Sequence, residues 1–197
     1  MNMFNEYLKE IFRTINKGDS REESLYGTLK ILFQDYGNSI NKKIDVTILP
    51  KQTEAGNPDF RIWDGKSRII GYVEAKNPDI KSLDSIEKSE QIQRYLEAFP
   101  NFILTNFIEF RLYKNGSLWD KPISISGYDM GKTKHIETRN IEEFKELLNL
   151  FFSFSTPSIN SNKALAEVLA YKAGLMRDFV VFPKVKENQD NYFYWLY

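Results

Sequence analysis

Asp59, Glu74 and Lys76 are the residues of this chain whose types and spacing can do chemistry together. Glu74 and Lys76 close the apolar run Arg68 to Lys76, which reads as a strand. Alternation puts both on one face of that strand, while Ile69, Gly71, Val73 and Ala75 line the other. Asp59 follows Pro58 and opens the preceding strand, Asp59 to Trp63. The Asp64-Gly65 pair between the runs is a strong signal for a two-residue hairpin turn. Pairing across that turn can bring Asp59 beside Glu74. Two carboxylates and a backbone carbonyl are hard oxygen ligands suited to Mg2+. A bound Mg2+ stabilises charge on a phosphate and lowers the pKa of a coordinated water, and a neighbouring lysine can orient that water. The chemistry is in-line hydrolysis of a phosphodiester. Pro-Asp and Glu-x-Lys are each common, however, and spacing alone fits equally a hairpin with charges on its wet face.

Composition bounds the setting. At 197 residues the chain has room for one domain with its own core and an appended helical segment. Aromatic residues reach 15%, more than a disordered chain would hold. The formal net charge is zero, whereas a protein that coats DNA alone is usually basic. A nucleic-acid role therefore needs local charge, a metal ion or another domain. The absence of cysteine excludes disulfides and thiolate metal sites, and a single histidine, His135, disfavours zinc and histidine-based phosphodiesterases. No signal peptide or membrane-length apolar run is visible, so a cytoplasmic location is expected. Gly127 to Thr133 ends in Gly-Lys-Thr but lacks P-loop spacing and reads as a loop.

The elements that must position the three residues follow from periodicity. Residues 4–15 repeat apolar positions as a helix does. Ser20 can cap a second helix, with Glu22 and Glu23 in its first turn and Gly37 as its stop. Residues 44–50 read as a strand, 53–58 as a loop, and 83–99 as a polar helix. The continuous apolar run 102–105 suits a strand buried on both faces. Residues 107–113 form the next strand, and Asn115-Gly116 the next hairpin turn. Residues 121–138 are less readable. Residues 141–152 are an amphipathic helix, and 163–180 are helical beyond a polar linker. The order describes an α/β (α+β) domain with a mixed sheet flanked by helices.

Several stretches together resemble the PD-(D/E)xK nuclease superfamily. They are Gly56 to Phe60, Gly71 to Lys76, Ser89 to Tyr95, Phe99 to Tyr113, Leu165 to Ala170 and Met176 to Asp178. More narrowly, the chain is similar to the N-terminal nuclease region of type IIG and type ISP restriction-modification enzymes, in which a nuclease is fused to an adenine-N6 DNA methyltransferase. The resemblance implies a restriction-endonuclease-like core over residues 1–155 and a helical extension over 156–197, leading towards a downstream domain. It implies Asp59 and Glu74 as metal ligands, completed by the Ala75 carbonyl, and Lys76 as the catalytic lysine. A further glutamate from the first core helix would be Glu22 or Glu23. Adjacent residues diverge around a helix, so at most one of them faces the site. Gln91 and Tyr95 match a Q-x-x-x-Y pattern, in which Gln91 would touch the lysine, the water or a phosphate. Tyr95 serves equally as core packing.

The expected cofactor is Mg2+, with Mn2+ able to substitute. The expected partners are double-stranded DNA, methyltransferase and specificity domains in the same polypeptide, and a transient second copy for double-strand cleavage. No membrane partner is expected. The terminal aromatic run Tyr192 to Tyr197 either packs back on the domain or belongs to a larger protein. A stand-alone Mrr-like or repair-type nuclease and a catalytically inactive nuclease-fold binding module remain as alternatives.

Overall fold

The computed structural model describes residues 3–127 and 136–155, together with Ala166 and Leu169. The Gly-Lys-Thr loop beyond Gly127, His135, the terminal aromatic run and all but two positions of the expected helical extension lie outside the described residues. The chain divides into two units, Met1–Ser155 and Thr156–Tyr197. The sheet and the helices that flank it belong to the first unit.

Helix α1 (Met3–Ile15) buries Phe4, Tyr7, Leu8, Ile11 and Phe12, the stripe that a 3.6-residue period predicts. The second helix begins differently from expectation. Arg21, not Ser20, is the N-terminal cap, and its backbone and that of Ser24 are satisfied reciprocally. A 3-10 turn (Glu22–Leu25) then leads into α2 (Tyr26–Ser39), which runs through Gly37. Gly37 is small for packing reasons: a Cβ there would collide with Ile44 and meet the Lys42 carbonyl oxygen.

Strands β1 (Asp45–Ile48), β2 (Phe60–Trp63) and β3 (Ile69–Ala75) form an antiparallel meander. The link between β2 and β3 is longer than the two-residue turn expected at Asp64-Gly65. Asp64 Oδ1 accepts the backbone N–H groups of Lys66 and Arg68, and the Asp64 N–H donates to the Arg68 carbonyl. The Asp side chain closes the loop in place of a tight turn. The polar helix expected over 83–99 is two helices, α3 (Asp84–Glu87) and α4 (Glu90–Ala98). Ser89 stands between them with extended backbone and caps α4 by accepting the Ile92 N–H.

Strand β4 (Asn101–Thr105) lies parallel to β3, and β5 (Glu109–Lys114) returns antiparallel to β4. The expected strand start at Phe107 is displaced because Phe107 takes a left-handed backbone (φ 72) in the connecting turn. Asn115 and Gly116, both at positive φ, form the tight hairpin into β6 (Ser117–Leu118) as the sequence suggests. Strand β7 (Ile123–Ser124), within the segment 121–138 that periodicity leaves open, pairs with β5. The result is a seven-stranded mixed sheet, with β1 to β6 in chain order.

The sheet is buried on both faces at its centre. Val46, Phe60, Ile62, Val73, Ala75 and Ile103 pack against α1, α2 and α5 (Ile141–Phe152). Phe102, Leu104 and Tyr113 pack on the other side with Ile92, Tyr95, Leu96 and Phe99 of the α4 region. Neighbours along β4 thus enter opposite cores, which is why that strand is apolar at successive positions.

Candidate active site

Asp59 directly precedes β2 and extends its ladder, since the Leu49 N–H donates to the Asp59 carbonyl at 2.7 Å. The register that pairs Phe60 with Val73 runs on to set Asp59 against Glu74. Asp59 is anchored there by the Ala75 N–H, which donates to Asp59 Oδ2 at 2.8 Å. The approach to Asp59 is fixed by a small turn in which the Thr53 and Gly56 backbones pair. Gly56 has φ 128, and a Cβ on it would stand 3.3 Å from the Tyr95 ring.

Glu74 is 2% exposed. Lys76 Nζ lies 2.6 Å from Glu74 Oε1, and Gln91 Nε2 donates to the same oxygen at 2.9 Å. Lys76 Nζ also reaches Gln91 Oε1 at 3.5 Å, and Gln91 Nε2 approaches the Tyr95 hydroxyl at 3.3 Å. Ser89 caps α4, so Gln91 sits in its first turn, and the four-residue spacing places Gln91 over Tyr95. Tyr95 serves both expected roles: its ring packs with Phe99 and Phe102, and its hydroxyl meets Gln91.

Of the two glutamates of the 3-10 turn, Glu22 is the one drawn into the cluster. It is half-buried, accepts from the Tyr26 hydroxyl at 3.1 Å, and feels the charge of Asp59. Glu23 is exposed. Tyr26 is a site residue that pattern reading passes over. Its ring packs 4.8 Å from Phe60, and its hydroxyl bonds Glu22 and bears on Asp59. The available signal is its position four residues after Glu22.

Burial raises Asp59 above the usual carboxylate range against the lowering effects of Tyr26, the Ala75 N–H and Lys76. Burial, and then the charge of Asp59, push Glu74 up to about 7. Glu22 is raised by the same two causes. Burial works against the Lys76 ammonium, but the charges of Glu74, Asp59 and Glu22 outweigh it and raise its pKa. The site is thus a crowded acidic pocket with one ammonium in contact.

The residues present fit a divalent cation. Glu74 Oε2 is buried and has no hydrogen-bond partner, which for a carboxylate oxygen is costly without a positive partner. Asp59 stands opposite it, and their mutual repulsion is what a cation would relieve. Among the described residues no group of three or more His, Cys, Asp or Glu side chains is arranged to cage a metal. Mg2+ does not need one, since it is commonly held by one or two carboxylates and keeps several waters.

No family model matches the chain. No curated protein matches it either. Among solved structures, the chain is similar to one in a cryo-EM structure of a DrdV–DNA complex, with a TM-score of 0.56 and 18% identity. The match covers 89% of this chain and 15% of that one, so the present chain corresponds to a small part of its neighbour. The likeness is one of fold: a mixed sheet flanked by helices, of the restriction-endonuclease-like α+β kind. Among the described residues no helix is long and apolar enough to cross a membrane.

Proposed function

We propose that this chain is the cleavage module of a Mg2+-dependent DNA endonuclease, with Asp59, Glu74 and Lys76 as its reactive centre. The observation that carries the reading is the buried, unpartnered Oε2 of Glu74 set opposite Asp59, with Lys76 Nζ 2.6 Å from the other Glu74 oxygen. Mg2+, for which Mn2+ would substitute, would be held by Asp59, Glu74 and the Ala75 carbonyl, with Glu22, which feels the charge of Asp59, as a further candidate ligand. When bound it would neutralise the scissile phosphate and acidify a coordinated water.

The chain's own residues do the rest. Lys76 shifts from Glu74 to the attacking water and favours its hydroxide form. Gln91, bonded to Glu74 and within reach of Lys76, holds the lysine's alternative position and can donate to the phosphate. Tyr26 and Tyr95 fix Glu22 and Gln91 from behind. The attacking water gives up a proton to solvent as its oxygen–phosphorus bond forms, the bond from phosphorus to the leaving deoxyribose oxygen breaks, and that oxygen takes a proton from solvent.

The restriction-modification context is part of the same reading. A fold neighbour solved with DNA, of which this chain matches 15%, supports a module within a longer polypeptide; the methyltransferase and specificity domains and the cytoplasmic setting come from the sequence resemblance. The zero net charge supports it too, because a cutting module without excess positive charge needs help to hold duplex DNA. Cleavage of supercoiled plasmid with Mg2+ or Mn2+ tests the centre, using wild type, Asp59→Ala, Glu74→Ala and Lys76→Ala, each also in the full-length polypeptide. Each substitution is expected to lower the rate roughly 100-fold or more. Equal cleavage by all four proteins would sink the assignment. DNA binding with no cleavage by wild type would favour an inactive binding module.

A further inference from the structure

Among the described residues, the second face of the sheet is covered unevenly. Helices α3 and α4 shield β3 to β5, but no residue of β1 or β2 belongs to the core cluster beneath them. On that face β1 and β2 present Thr47, Arg61 and Trp63, with Leu49 just past the end of β1. The register aligns Thr47, Arg61 and Tyr72 across the three strands. This shelf begins at the reactive centre, because Asp59, Arg61 and Trp63 alternate along one strand face.

Among the described residues, Arg61 is held there without a counter-ion. Its guanidinium carbon lies 5.8 Å from the Trp63 ring centroid and 5.6 Å from that of Tyr72. Both rings are themselves pinned: Trp63 Nε1 donates to Thr47 Oγ1 at 3.0 Å, and Tyr72 stacks on Phe99 at 4.0 Å. Arg61 Nη2 donates to the Lys51 carbonyl at 3.0 Å, and Nε is buried without a partner. Arg111 shows how this fold treats a buried arginine that is structural, giving it Glu109, Asp84 and Glu87. Asp45, the carboxylate on the same face of β1, pairs in register with Trp63, at the far end of the shelf from Asp59.

A pre-oriented guanidinium between aromatic faces, with no carboxylate on it, suits a phosphate. Asp59 and Arg61 stand about 7 Å apart along an extended strand, a step comparable to that between neighbouring phosphates of a nucleic-acid strand. Beside Asp59, Leu49 is 63% exposed and adopts φ 47, a costly backbone for a leucine with no packing return. We propose that the β1–β2 shelf is a subsite for the sugar-phosphate backbone of the DNA strand being cut, with Arg61 binding the phosphate next to the scissile one and Leu49 contacting the adjoining sugar.

The subsite rests on the nuclease reading, and its test separates the two. In the full-length polypeptide, Arg61→Gln is compared with wild type for duplex binding across a salt series, plasmid cleavage, and the Mg2+-induced rise in melting temperature. Binding is expected to weaken about tenfold or more, and the slope of log affinity against log salt to fall by about one. The rise in KM should exceed any change in kcat, and the metal-induced rise should persist. Leu49→Asn guards against a folding artefact: Asn adopts left-handed backbone more readily than Leu, so stability should hold or improve while DNA affinity falls. Wild-type affinity and salt slope in Arg61→Gln, with cleavage intact, would overturn the subsite and leave the nuclease reading standing. A wild type that neither binds nor cuts DNA overturns both. A DNA-independent dimer that Arg61→Gln dissolves would assign the shelf to a second copy instead.

Discussion

Glu74 shows how the site's electrostatics are built from single atoms. One of its oxygens takes Lys76 and Gln91, and the other is buried without a well-formed hydrogen bond, with only the Asp59 backbone N–H bearing on the carboxylate. Burial and the charge of Asp59 hold its pKa at about 7, above the unfolded value of 4.5. A carboxyl whose folded pKa is raised binds more protons folded than unfolded, so stability falls as pH rises from about 4.5 to about 7. The metal-free protein should therefore be more stable at pH 5.5 than at pH 7.5, by about 1–2 kcal/mol, and melt higher there. Mg2+ should restore more stability at pH 7.5 than at pH 5.5. Glu74→Gln should flatten the pH slope, and thermal melts with and without metal read all three effects. An unchanged slope in Glu74→Gln would place the titration elsewhere. Alternation on β3 and pairing with the strand that Asp59 opens make it possible to place Asp59, Glu74 and Lys76 together from the sequence, whereas the resemblance singles them out and alone supplies Gln91. Tyr26 is not legible, because its hold on Glu22 depends on a 3-10 turn that no periodicity announces.

At the scale of elements, β3 is the member on which the site depends, since it presents Glu74 on one face and threads Gly71 through a tight spot. A Cβ on Gly71 would run into the Asn101 carbonyl oxygen, and it would stand 2.8 Å from both Asn101 Nδ2 and the Phe151 ring. That space is needed because buried Asn101 bridges the Ile70 and Phe151 carbonyls at 2.8 and 3.0 Å, joining β4 to β3 and α5. Gly71→Ala should cost about 1–3 kcal/mol of stability. Activity should fall with it if β3 shifts, and denaturant titration beside plasmid cleavage checks the pair. An alanine variant of wild-type stability would mean the strand has slack. The strand itself is readable from its apolar alternation. The link before it is not, because Asp64 closes the loop with its side chain, a choice that an Asp-Gly pair does not reveal. The break at Ser89 escapes pattern reading for a similar reason. Capping there and the tether of Arg111 to Asp84 and Glu87 on α3 are side-chain decisions, invisible to a hydrophobic period.

For the whole molecule, the numbers that matter are one reactive centre and no net charge. If Asp59, Glu74 and Lys76 cut as proposed, a single set breaks one phosphodiester per encounter, and the two strands of a duplex run in opposite directions. Cutting both requires either two successive encounters or two copies related by a twofold axis. For this chain by itself, the lack of excess positive charge predicts short residence on DNA, with non-specific dissociation constants no tighter than the usual range of about 10⁻⁴–10⁻⁶ M. The first strand break is then followed by release more often than by the second. Supercoiled plasmid should pass first to nicked circles, and linear product should follow later. Its yield should climb faster than in proportion to protein, as a transient second copy becomes available. A time course on agarose at several protein concentrations separates these cases. Linear product without a nicked intermediate at the lowest concentration would mean that the cutting species is already a dimer before it meets DNA.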